Sequence, residues 1–288
     1  MKHLILSLLL IAFAPVSMAL APYVQGTKLS PADVPAQLTA VEKKLQAAGF
    51  TVVGRHMPKG LPQHGSLIVT DPEILGAIRS IGGSAVAAAG IRVGVQANGA
   101  VSYINPDYWY RAFLRGKFGN AQVAVKATQA RLAQALGAGA TFGGDVPEGD
   151  LANYRYMFGM ERFDDNSELA TFASFEEAVA AVQANLTKGV SDTSKVYEIS
   201  MPERKMAVFG VAMNNADGGE SWWVNKIGTD HVAALPYEVF VVGNKVYSLY
   251  ARYRIAIGWP ALGMGQFMGI INIPDAIRDI MVKVATKP

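Results

Sequence analysis

The side chains best suited to chemistry stand at the end of one extended run. Arg55-His56-Met57 is followed, after a stretch rich in Pro and Gly, by His64. Imidazole nitrogen and thioether sulfur suit copper, so His56, Met57 and His64 form a candidate metal set. Their spacing matches no established metal motif. The simpler reading has His56 ending a strand and His64 solvated on a loop. The chain has four histidines and no cysteine. That excludes thiolate zinc, iron–sulfur clusters, haem attached through C-x-x-C-H, disulfides and cysteine nucleophiles.

Other reactive groupings are weaker. Asp230-His231 could be half of a catalytic dyad, but neighbours on an extended chain point to opposite faces, and no G-x-S-x-G elbow is present. Gly263–Gly269 lacks dinucleotide-loop spacing and does not follow a strand within a βαβ unit. Aromatic residues gather at Tyr108-Trp109-Tyr110, at Trp222-Trp223, and at Tyr247, Tyr250, Tyr253 and Trp259, the last group beside Arg252 and Arg254. Aromatic rings with arginine are a common composition for a binding surface. Tyr108, Trp109, Trp223, Arg252 and Trp259 are therefore the candidate ligand-binding residues, against the alternative that such rings fill a core. Met157, Met160, Met201, Met206, Met213, Met264 and Met268 read as flexible core fillers.

These residues must be held by elements that occur in the same order twice. Ser30-Pro31-Ala32-Asp33 opens a helix to about Ala48 with Leu38, Val41 and Leu45 at helical spacing. Phe50–Met57 and Gly65–Thr70 read as strands. Asp71-Pro72-Glu73 is an N-cap, a first-turn proline and a first-turn acid. Ile91–Gln96 and Ala100–Asn105 flank Asn98-Gly99, a tight-hairpin signal, and Ala121–Leu136 is helical. In the second half, Ser174-Phe175-Glu176-Glu177 is a capping box. Lys195–Met201 and Lys205–Met213 read as strands, Tyr237–Val242 and Lys245–Tyr253 as a hairpin around Gly243-Asn244, and Pro274-Asp275 starts a final helix. Phe142–Asp150, rich in Gly, Pro and acids, reads as a linker.

Each half resembles the family catalogued as domain of unknown function 302. The resemblance rests on Ser30–Phe50, on TDPEIL at Thr70–Leu75, on VSYINP at Val101–Pro106 and on Gly119–Leu136. In the second half it rests on SFEEAV at Ser174–Val179, on LPYEVFVV at Leu235–Val242 and on the terminal helix, with a departure across Asn214–Asp230. It implies a two-layer α/β domain and no catalytic residues. The expected fold is α+β: two tandem copies of a small domain, each an antiparallel sheet with helices on one face. The expected divisions are a signal peptide at 1–21, a first unit at 22–141, a linker at 142–152 and a second unit at 153–288.

Composition bounds the function. Half the residues (51%) are hydrophobic and 17% charged, with Lys plus Arg 26, Asp plus Glu 23 and a net charge of +3. Disorder is excluded, and a charge this small does not predict nucleic-acid binding. Lys2, the apolar run Leu4–Phe13, Pro15 and Ala19-Leu20-Ala21 have the layout of a secretory signal, which places the protein in a periplasm. Ile255–Ile273 is 19 residues without a charge, with Ala261, Gly265 and Gly269 at small-xxx-small spacing. The corresponding stretch of the first half, Tyr108–Gly119, carries Arg111, Arg115 and Lys117. The second copy is therefore expected to be a buried or interface helix, with the wall of an apolar pocket as the alternative, and the protein not an integral membrane protein. Peripheral membrane association and homo-oligomerisation stay open. The leading expectation is a non-enzymatic exported protein that binds a small molecule or a partner protein between the two units. The alternatives are a periplasmic copper-binding protein and an enzyme of unrecognised class.

Overall fold

The computed structural model describes residues 18–287. Most of the expected signal segment lies outside the described residues; its last residues, Ala19–Leu20, form β1. The first half continues with β2 (Tyr23–Gln25), α1 (Val34–Ala47), β3 (Thr51–His56), β4 (His64–Thr70), α2 (Pro72–Ile81), β5 (Ile91–Gln96), β6 (Val101–Ile104), α3 (Pro106–Leu114), α4 (Gln122–Leu136), β7 (Thr141–Phe142) and β8 (Val146–Pro147). The second half comprises β9 (Ser167–Thr171), α5 (Phe175–Lys188), β10 (Thr193–Met201), β11 (Met206–Met213), α6 (Glu220–Ile227), β12 (Tyr237–Val242), β13 (Lys245–Ser248), α7 (Ala251–Gly258), α8 (Met264–Met268) and α9 (Ile273–Ala285).

The class is mixed α+β with open antiparallel sheets. One sheet runs β3-β4-β5-β6-β2-β7 and the other β10-β11-β12-β13-β9, with β1 and β8 as a separate ribbon. In each sheet the strand that precedes the first helix, β2 or β9, returns to pair with the fourth strand of the following series. Helix starts follow the local chemistry. The Asp71 side chain accepts from the amides of Glu73 (2.8 Å) and Ile74 (3.4 Å), and Ser174 accepts from Glu177, satisfying amides that have no partner within the helix.

The halves share one core. The 3₁₀ turn Gly83–Ala88 packs on β11 and β12, and the 3₁₀ turn Thr229–Ala234 packs on β4, β5 and β6. The edge strands β3 and β10 meet where each has a register irregularity, between Val52 and Gly54 and between Lys195 and Tyr197. A Cβ on Gly54 would lie 2.7 Å from the Val196 carbonyl oxygen, so only glycine admits that approach.

Two expectations need correction. Ile255–Ile273 is not one helix: α7 ends at Gly258, Trp259 leaves helical geometry, Pro260 follows and Gly263 starts α8. Proline cannot continue the ladder and glycine is a weak helix former. The segment is half core and half surface, with Ile255, Ile257, Trp259, Phe267 and Ile270 buried and Met264, Met268 and Ile271 exposed. No helix among the described residues is long and apolar enough to cross a membrane. Phe142–Asp150 is also more than a linker. Its residues pair in β7 and β8, and Gly144 (φ +107°) runs so close to Ala261 that a Cβ would lie 2.8 Å from it.

Candidate functional site

The aromatic residues singled out from sequence are placed in the core. Tyr108 is fully buried and its hydroxyl donates to the Ile257 carbonyl (3.0 Å). Trp109 is buried and its indole donates to Pro22 (2.9 Å). Trp223 and Trp259 meet edge-to-face at 5.3 Å, and Trp259 donates to Gly228 (3.0 Å). These rings bury large apolar areas, and the polar edges of Tyr108, Trp109 and Trp259 find carbonyls, whereas the buried Trp223 indole nitrogen has no partner among the described residues. None of the four lines the cleft between Asp145–Arg162 and Pro260–Met264. The structure thus gives these four side chains core partners.

The metal set is not assembled. His56 turns inward and its Nε2 lies 2.7 Å from Glu220 of α6, both residues buried. Met57, just past the end of β3, is 57% exposed. His64 is half-buried at the start of β4, and burial lowers its pKa against the opposing pull of Asp230. Among the described residues no three His, Asp or Glu side chains are grouped to hold a metal ion. Asp230 accepts from Gln96 (3.1 Å), whereas the His231 ring sits among Tyr23 (5.0 Å), Trp259 (5.4 Å) and Phe142 (5.8 Å). Burial pulls the His231 pKa down to about 4, with the Gly258 carbonyl and Asp230 acting in the opposite direction.

Sequence reasoning missed a buried charge cluster. Glu238 of β12 accepts from Arg254 of α7 (Nε 2.8 Å, Nη2 3.0 Å) and from Arg92 of β5 across the two halves, and all three are about 2% exposed. Arg254 also donates to the carbonyl of Ala234 (2.5 Å). Burial works against the charge on Arg254, and Glu238 more than offsets it; burial prevails for Arg92, whose pKa is lowered. A signal existed: Arg92 and Glu238 are each the second residue of a strand and are followed by a run of apolar residues or glycine. The cluster is a structural clasp that joins the two halves.

A surface cleft of about 790 Å³ lies between Asp145–Arg162 on one side and Pro260, Leu262 and Met264 on the other. The segment Tyr154–Arg162 has almost no regular structure, so side chains must pin it. Tyr154 donates to Ala256 (3.1 Å), Tyr156 donates to Leu262 (3.2 Å) and packs its ring against Phe267 (5.1 Å), and Glu161 receives Arg252 (Nε 2.8 Å). The hydrogen bonds from Arg252 hold the Glu161 carboxyl below its usual range. Arg252, a sequence candidate, thus positions the cleft wall. Of the eight exposed large hydrophobic side chains among the described residues, Met157 and Met264 line this cleft, Phe158 follows Met157, and Met268 and Ile271 lie further along the chain from Met264. This corrects the reading of Met157, Met264 and Met268 as core fillers. The charged lining residues are Asp145, Asp150, Arg155 and Arg162, two of each sign. Arg155 lies over the Phe158 ring at 4.9 Å.

Among its described lining residues the cleft presents no nucleophile beside a base and no buried acid aimed into it; it can offer apolar contact and balanced polar groups. No family model, curated protein or solved structure matches the chain.

Proposed function

We propose that the protein is a non-enzymatic exported binding protein, and that its binding site is the cleft between Tyr154–Arg162 and Pro260–Met264. One observation carries the reading. Groups able to do chemistry are consumed in buried internal partnerships (His56 with Glu220; Arg92 and Arg254 with Glu238), while two exposed apolar side chains, Met157 and Met264, face each other across the lining of this cleft. Large contiguous exposed apolar surface on a folded chain marks interaction sites. The matching order of elements in the halves supports two copies of one unit packed as a pseudo-dimer, which leaves their mutual face filled and moves binding to the rim. The layout of Met1–Ala21 supports export to a periplasm.

The cleft suits a small molecule with an apolar body and a polar edge. Gly149 lines it; a Cβ there would meet nothing within 4 Å, and its φ lies outside the left-handed region. Gly149→Trp therefore fills the cleft at little structural cost. Native mass spectrometry of the protein recovered from its own cells is expected to show a co-purifying molecule that Gly149→Trp lacks. A ligand retained by that variant refutes the location.

A further inference from the structure

A second cleft, of about 520 Å³, opens at the rim where the two halves meet. Its floor is one face of the six-stranded sheet. Gln25 opposes Ser102 and Ser102 opposes Gly94 across β2, β6 and β5, and directly opposed residues share a face. Gln96, two positions beyond Gly94, stands on that face too, as does Phe142, which opposes Tyr23 two positions before Gln25. The wall is the 3₁₀ turn Thr229–Ala234 of the second half. Two contacts fix it on the floor. Val232 occupies the space that a side chain on Gly94 would need, a Cβ there lying 2.7 Å from the Val232 Cγ1. Gln96 donates to Asp230 (3.1 Å), and Asn98 donates in turn to Gln96 (3.3 Å). Gln25, Lys28 and Ser102 line the same cleft, and their side chains form no hydrogen bond with another described residue.

We infer that this cleft is a second binding site and that it takes a neutral sugar. Carboxamides and hydroxyls both donate and accept, so Gln25, Gln96, Asn98 and Ser102 match sugar hydroxyls, which do the same. Asp230 adds an acceptor and Lys28 a donor; the lining thus carries one charge of each sign and selects no ion. Phe142 rests its ring against Tyr23 (5.3 Å) and offers an apolar surface to the C–H face of a sugar ring. The volume falls within the roughly 300–1,000 Å³ of small-molecule sites. Asp230 and the carboxamides it organises come from different halves, so the site exists only when the halves are docked. It shares no lining residue with the cleft at Gly149 and stands independently of it.

The test is calorimetric titration of the purified protein with glucose, galactose, N-acetylglucosamine, maltose and lactose, with glutamate and lysine as charged comparators. A sugar is expected to bind and the comparators are not. Its affinity should be unchanged between about 0.05 and 0.5 M NaCl, because a neutral ligand has no charge to screen. Asp230→Ala removes a charged acceptor and should weaken binding at least about tenfold; Gln25→Ala should weaken it about two- to tenfold. Both side chains are exposed, so the melting temperature should hardly move. In amide-proton spectra the sugar should shift the carboxamide signals of Gln25, Gln96 and Asn98 and leave that of Asn185, which is buried and bonded to Val284 (2.9 Å), in place. Gly149→Trp should bind the sugar as the parent does. No sugar bound, full affinity retained by the Asp230→Ala, Gln25→Ala double variant, a sugar lost from Gly149→Trp, or salt-sensitive binding of glutamate or lysine in its place overturns this site. Asp230→Ala leaves the Gly149 cleft intact, so failure of either reading is seen separately.

Discussion

Replacing Glu238 with Gln should destabilise the protein more than any other single change in the charge cluster. The substitution keeps the shape of the side chain and removes its charge. Three charge-assisted hydrogen bonds converge on Glu238, two from Arg254 and one from Arg92. Glutamine keeps one acceptor oxygen and turns the other position into a donor facing a guanidinium. Two arginines then remain buried without a counter-charge. Breaking a buried pair in this way costs about 3–5 kcal/mol. With an unfolding entropy of roughly 2.1 cal/mol/K per residue, a chain of 288 residues loses one degree of melting temperature for about 0.6 kcal/mol. The expected fall is about 5–8 °C by calorimetry. The neighbours rank in the same way. Arg254→Met removes both of the bidentate bonds and the bond to Ala234, so it should cost nearly as much. Arg92→Met leaves a neutral Glu238–Arg254 pair and should cost the least, about 0–2 kcal/mol. A fall below about 2 °C for Glu238→Gln, or Arg92→Met worse than Arg254→Met, refutes the reasoning that uncompensated charge governs this site.

Other outcomes follow from the same structure. The His231 pKa lies at about 4 in the fold, against 6.5 for the free side chain. The unfolded chain therefore takes up a proton that the folded chain refuses as pH falls between these values, and stability should drop by about 3 kcal/mol. Melting curves from pH 7 to 4 should show this loss, and His231→Phe should flatten it. Gly54→Ala puts a Cβ against the Val196 carbonyl and should cost about 1–3 kcal/mol by urea unfolding. Asp71→Ala removes two cap bonds, the bond from the Thr128 hydroxyl (2.9 Å) and the ion pair with Arg131; a cap alone is worth about 0.5–2 kcal/mol, so a loss below that range would mean α2 is held by its packing.

Much of the fold is legible from residues alone. Asp71-Pro72-Glu73 and Ser174-Phe175-Glu176-Glu177 mark helix starts because unpaired amides need an acceptor, and Asn98-Gly99 marks a hairpin because its turn needs positive φ. The halts inside Ile255–Ile273 are visible as Pro260 and Gly263, yet an uncharged run reads as continuous when only apolarity is counted. The candidate site is less legible. Tyr108, Trp109, Trp223 and Trp259 carry the composition of a binding surface, and burial depends on which elements cover them. Met157 and Met264 look scattered because their nearness is made by Tyr156 reaching Leu262 and Arg252 reaching Glu161.

Local chemistry, then, determined the elements, their order and the absence of thiol chemistry, since caps, turns and periodicity act over a few residues. The tertiary structure decided which side chains meet. His56 finds Glu220 and Arg92 finds Glu238 across more than a hundred positions, and the choice between core and cleft for each methionine and tryptophan is set by the packing of the two sheets. Those contacts arise from the whole core burying its apolar surface at once, and no short stretch of residues contains that information.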